Sequence, residues 1–108
     1  MQDPPREENS SLSYTFAVGL LQIEIMLPMC HSLKEKRSVM ARTLNHLRKL
    51  QPISVAEVGH QNLWGRAGIA GVAVSADRDV VDRILRATVK LVEHDRDVQL
   101  IDYSIEIL

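Results

Sequence analysis

One cysteine, four aromatic residues and no apolar run long enough for a bilayer set the first limits on this chain of 108 residues. The single Cys30 excludes an intrachain disulfide and suits a reducing compartment. Tyr14, Phe16, Trp64 and Tyr103 are too few for an aromatic core, so the core must be aliphatic. They are equally too few for the rows of stacking rings on which an aromatic RNA-reading sheet depends. The longest apolar stretch, residues 16–30, is broken by Gln22, Glu24 and Pro28 and falls short of the ~20 residues of a membrane helix. A glycine-rich phosphate loop is missing, which argues against a Walker-type nucleotide pocket. So are the H-x-H, H-x-x-x-H and C-x-x-C spacings of metal sites, and neither a metal nor a cofactor is expected.

What is present is enough for one domain with a sizeable aliphatic core. Residues 1–12 carry Asp3, Glu7 and Glu8 beside Pro4 and Pro5, without the apolar core of a signal peptide, and read as a disordered extension of a cytoplasmic protein. Residues 13–108 read as the domain. Period-two alternation over residues 16–27 marks a strand ended by Pro28. Leu33, Met40, Leu44 and Leu47 share a narrow arc at ~100° per residue and mark an amphipathic helix closed by Pro52. The β-branched segments 53–58 and 69–74 form a hairpin around the turn 59–65. A second helix, capped by Asp77, presents Val81, Ile84, Leu85, Thr88 and Val92, and a last strand alternates Ile101, Tyr103, Ile105 and Ile107 with polar residues. The order βαββαβ with right-handed crossovers predicts an α+β ferredoxin-like plait, a four-stranded antiparallel sheet with both helices on one face.

Charge singles out the first helix. The chain's net charge is −1, yet residues 32–51 hold six cations against Glu35 alone. Ser32 and Glu35 form a capping box, while Lys34, Lys36 and Arg37 crowd the positive end of the helix dipole, where each costs ~0.3–1 kcal/mol. Stability alone would not choose them. Together with Arg66 they could hold a phosphate at the free N–H groups of the helix start, and Arg42, Asn45, Arg48 and Lys49 continue the stripe. The ordinary alternative is a solvated helix face. In the plait, the helix start, the hairpin turn and the exit of the second helix share one end, which gathers Cys30, His31, His60, Trp64 and His94 near these cations. There Trp64 either anchors a partner or folds back onto the core. The outward positions Gln22, Glu24, Asp102, Ser104 and Glu106 would repel phosphate from the open sheet face, whereas Phe16, Val18 and Leu20 either make an apolar patch suited to dimerisation or to packing the N-terminal tail, or are simply buried by the hairpin.

The segment His31-Ser32-Leu33-Lys34-Glu35-Lys36-Arg37 and the turn Gly59-His60-Gln61-Asn62-Leu63-Trp64-Gly65-Arg66 resemble the bacterial YlxP-like family, also called domain of unknown function 503. The resemblance spans residues 14–108 and implies a single ferredoxin-like domain. Genes of the family often neighbour those of ribosome maturation and translation-initiation factors, which implies a link to RNA. The family has no established catalytic residues, and Gly65 stands where relatives often carry glutamine. The leading expectation is a non-enzymatic module that contacts RNA or a ribosomal particle through Lys34, Lys36, Arg37, Arg42 and Arg66, with His31, His60, Gln61, Asn62 and Trp64 as partner or stacking residues. A protein-interaction or homodimer module is the first rival. A small enzyme using Cys30, His31 or His60 is the second, and it requires a concave pocket with perturbed titratable groups.

Overall fold

The structure, a computed structural model, describes residues 11–108, so ten of the twelve residues of the expected extension lie outside the described part. The elements follow in the order β1 (Ala17–Met26), α1 (Leu33–Leu50), β2 (Ser54–Val58), β3 (Arg66–Ser75), α2 (Arg78–Glu93) and β4 (Gln99–Ile107). They form one sheet in the order β2-β3-β1-β4, antiparallel at every neighbour. α1 packs on β2 and α2, and α2 lies across β1, β3 and β4, so both helices cover one face. This is the α+β ferredoxin-like plait that the alternation and the two helical stripes call for.

Alternation sorts each strand onto two faces. Ala17, Leu21, Ile23 and Ile25 of β1, Val55 of β2 and Ala67, Ile69 and Ala73 of β3 are buried beneath the helices. Val81, Leu85, Val89 and Val92 of α2 and Met40, Leu44 and Leu47 of α1 close over them. Gly19 allows α2 to come this close, since a Cβ there would stand 2.5 Å from Val81 Cγ1. One strand departs from strict alternation. The β1–β4 register shifts between Glu24 and Ile25, so Leu100 rather than Ile101 packs on the core, and Ile101 is left exposed.

Both helix starts are capped as the sequence requires. Ser32 Oγ accepts the N–H of Glu35, and Asp77 Oδ1 accepts that of Asp79. The return half of the capping box reaches one residue further back than the usual form, with the His31 N–H donating to Glu35 Oε2 at 3.2 Å. α1 stops at Leu50 before Pro52, and the Gln51 N–H still donates to the Leu47 carbonyl. No helix among the described residues is long and apolar enough to cross a membrane.

Candidate functional site

Lys36 overturns the simplest reading of the cation cluster. Its side chain is 2 % exposed, and its ammonium donates to the carbonyls of His60 at 2.7 Å and Leu63 at 2.6 Å while pairing with Glu57 Oε2 at 3.0 Å. Three donors meet three acceptors, so nothing is left for an outside phosphate. The cause is helical geometry: position 36 lies four residues before Met40 and seven before Thr43, on the stripe that faces the sheet. The expected role of Lys36 in a phosphate ring is therefore corrected. Lys36 instead clamps the β2–β3 turn to the start of α1.

The turn itself has an unusual backbone. Gly59 and His60 adopt φ of 66° and 51°, and the left-handed region is uncommon for a side chain such as that of His60. Leu63 N–H donates to the His60 carbonyl, and Leu27 N–H donates to that of Gly65, tying the turn to the end of β1. The His60 imidazole folds over the open face, its Nε2 3.0 Å from Glu24 Oε2. Arg66 approaches the same oxygen, with Nε donating at 3.0 Å and Nη2 at 2.5 Å. The Arg66 hydrogen bonds, with the charges of His60 and Arg66, hold the Glu24 carboxyl below the usual carboxylate range against the opposing effect of burial. Arg66 is thus engaged by Glu24, a second departure from the expected phosphate ring.

Of the remaining expected cations, Arg42 pairs with Asp97, at the edge of the domain away from the turn. Lys34 and Arg37 are exposed, and neither has a hydrogen bond or ion pair with another described residue. They point apart. Lys34 lines a groove of about 530 Å³ with Met29, Cys30, Glu35 and Asp97. Arg37 precedes Arg48 by eleven residues, nearly the same azimuth on the helix. Arg48 donates to the Val55 carbonyl, so Arg37 stands on the β2 side, toward the turn. His31, Gln61 and Asn62 are exposed as well. Leu63 and Trp64 are 53 % and 51 % exposed, so Trp64 does not fold back onto the core.

The other candidate side chains are less suited to chemistry. Cys30 is buried, and burial together with the nearby charges of Glu35 and Asp97 pushes its thiol above the usual value, the opposite of an activated nucleophile. His94 lies within reach of the Lys90 carbonyl through Nδ1 and lines a separate hollow with Arg42 and His46, apart from the turn. A shallow groove of about 280 Å³ crosses the open face between His60 and Asp102, with Glu24, Gln22, Gly68 and Ser104 along it. The His60–Glu24 pair could exchange a proton there, but an ion pair that holds a turn needs the same geometry. No cluster of metal ligands occurs among the described residues.

Glu57 is the residue that sequence reasoning missed. It continues the inner series of Ile53, just before β2, and Val55, where a carboxylate calls for a cationic partner, and Lys36 occupies the facing helix stripe. Both signals are present in the periodicities.

Residues 18–105 match the family described as "Protein of unknown function (DUF503)". The uncharacterized protein YlxP of Bacillus subtilis (strain 168) is 27 % identical over 82 residues, covering 76 % of this chain and 89 % of that protein. Among solved structures, the de novo designed protein Foldit4 superposes with a TM-score of 0.51 at 12 % identity, covering 86 % of this chain and 96 % of its own, a likeness of fold alone. A mutant of SnoaB, a cofactor-independent oxygenase from Streptomyces nogalater, reaches 0.45 at 15 % identity, with 85 % and 90 % covered, and its activity has no bearing here.

Proposed function

The chain belongs to the DUF503 family, whose description assigns no activity, and we propose that it is a non-enzymatic binding module of the cytoplasm that contacts structured RNA or a ribosomal particle. The observation that supports this reading most is the exposed Leu63–Trp64 tip, held from below by buried Lys36, whose neighbour in sequence, Arg37, is exposed and unpaired among the described residues. A turn fixed in this way meets a partner without the entropy cost of ordering a loop. Arg37 and Lys34 would contact phosphates, and Trp64 would stack on an unpaired base. The Glu24, Asp102 and Glu106 carboxylates keep phosphate off the open face.

The test uses Lys34→Glu with Arg37→Glu, and separately Trp64→Ala, leaving Lys36 intact because it supports the turn. Both variants are expected to fold as the parent does and to lose co-sedimentation with ribosomal particles at physiological salt. Parent binding is expected to fall steeply as salt rises, with a logarithmic slope of about −1 for each phosphate that the protein neutralises. Unchanged co-sedimentation of both variants, or parent binding indifferent to salt, overturns the proposal.

A further inference from the structure

The sheet face that carries no helix is divided into an apolar half and a charged half. Pairing places Val72 beside Leu20 and Val74 beside Val18, with exposed Phe16 just before β1. Val72 and Val74 are 42 % and 61 % exposed. Across the middle run Ala56, Ala70, Gln22 and Ser104, mostly small side chains that allow a second sheet to approach to the ~10 Å of face-to-face packing. The outer strand β4 contributes an acidic column, Asp102, Ser104 and Glu106, whereas the opposite edge β2 presents the uncharged Ser54, Ala56 and Val58.

We infer that this face is covered by a second copy of the chain, related by a two-fold axis that runs along the strands between β3 and β1. Such an axis lays β3 of one copy over β1 of the other and β4 over β2, with rows kept level. Val72 then meets Leu20 of the second copy, Val74 meets its Val18, and Glu106 faces its Ser54. Asp102 faces Val58 of the second copy, beside its His60. The apolar half, Val18, Leu20, Val72 and Val74, meets its like, and the acidic columns lie over uncharged strands. The other two-fold that keeps the strands of the two sheets aligned runs across them and lays β4 over β4, which brings the two acidic columns together; like charges in contact oppose it. Of these two axes, the face favours the one along the strands. Its area is sufficient as well. Strands of nine or ten residues at ~3.3 Å per residue and ~4.8 Å apart present roughly 500 Å² per copy, or ~1,000 Å² in all, about where specific interfaces begin.

Sedimentation equilibrium of the full chain should give about twice its 12.2 kDa mass at micromolar concentration. Val72→Asp, at a position already exposed in the single chain, should keep the parent circular dichroism spectrum and weaken the dimer at least about a hundredfold. Ser54 reads the axis, because only the strand-parallel arrangement sets it opposite Glu106 of the second copy. Ser54→Lys should tighten the dimer several-fold at low salt and Ser54→Glu weaken it by a similar factor. A monomeric parent, a dimer indifferent to Val72→Asp, or equal effects of the two Ser54 variants overturns the inference.

Discussion

Replacing Lys36 by methionine removes the clamp while keeping a flexible stem of similar length. Two carbonyls and Glu57 are then left without their charged donor. Hydrogen bonds to a charged group contribute ~1.5–3 kcal/mol each, and breaking a fully buried ion pair costs ~3–5 kcal/mol. Relief is available here, since Glu57 is 23 % exposed and the turn lies at the surface, so water can reach the orphaned acceptors. Methionine also avoids the desolvation of an ammonium. The expected net loss is about 3 kcal/mol, which for a domain of this size lowers Tm by roughly 12–20 °C. Lys36→Met with Glu57→Leu should recover about half of the loss, because no buried carboxylate then remains unpaired. Thermal and urea unfolding by circular dichroism measures the stability. The fluorescence of Trp64, the chain's one tryptophan, reports the turn and should shift in Lys36→Met below its transition. A Lys36→Met protein within about 0.5 kcal/mol of the parent, with unchanged Trp64 emission, refutes the view that the ammonium holds the turn.

The Glu24 carboxyl titrates below its ordinary range, so the stability it contributes is complete above the ordinary glutamate value and is lost as pH falls through the lowered one. The stability gap between the parent and Glu24→Gln should accordingly be constant near neutral pH and close as the pH falls through the lowered value; urea midpoints from neutral to acid pH test it, and a gap that persists unchanged at low pH contradicts the Arg66–Glu24 pairing. Gly68→Ala drives a Cβ into the Val58 carbonyl oxygen, a backbone atom that cannot move without distorting the β2–β3 ladder. It should cost about 3 kcal/mol or more, whereas Gly65→Ala, with no atom within 4 Å of the added Cβ, should stay within about 0.5 kcal/mol; equal midpoints for the two would refute the steric argument.

Local chemistry carries much of the architecture. Alternation in β1, the 3.6-residue stripe of α2, the Ser32 and Asp77 caps and Pro52 are patterns within short segments, and together with crossover handedness they leave few topologies besides the plait. The alternation of β4 misassigns Ile101 because a bulge depends on how two strands pair, which neither sequence segment contains. At the candidate site the division is sharper. The sequence locates the helix start and the turn, and topology brings them to one end. Which cations remain available is decided by long-range partners: Lys36 is consumed by a turn 24 to 27 residues away, Arg66 by Glu24 and Arg42 by Asp97. A charge count treats such cations alike. Only their distances to carbonyls and carboxylates elsewhere in the chain distinguish a clamp from a contact, because Coulomb and hydrogen-bond energies depend on separation in space rather than along the sequence.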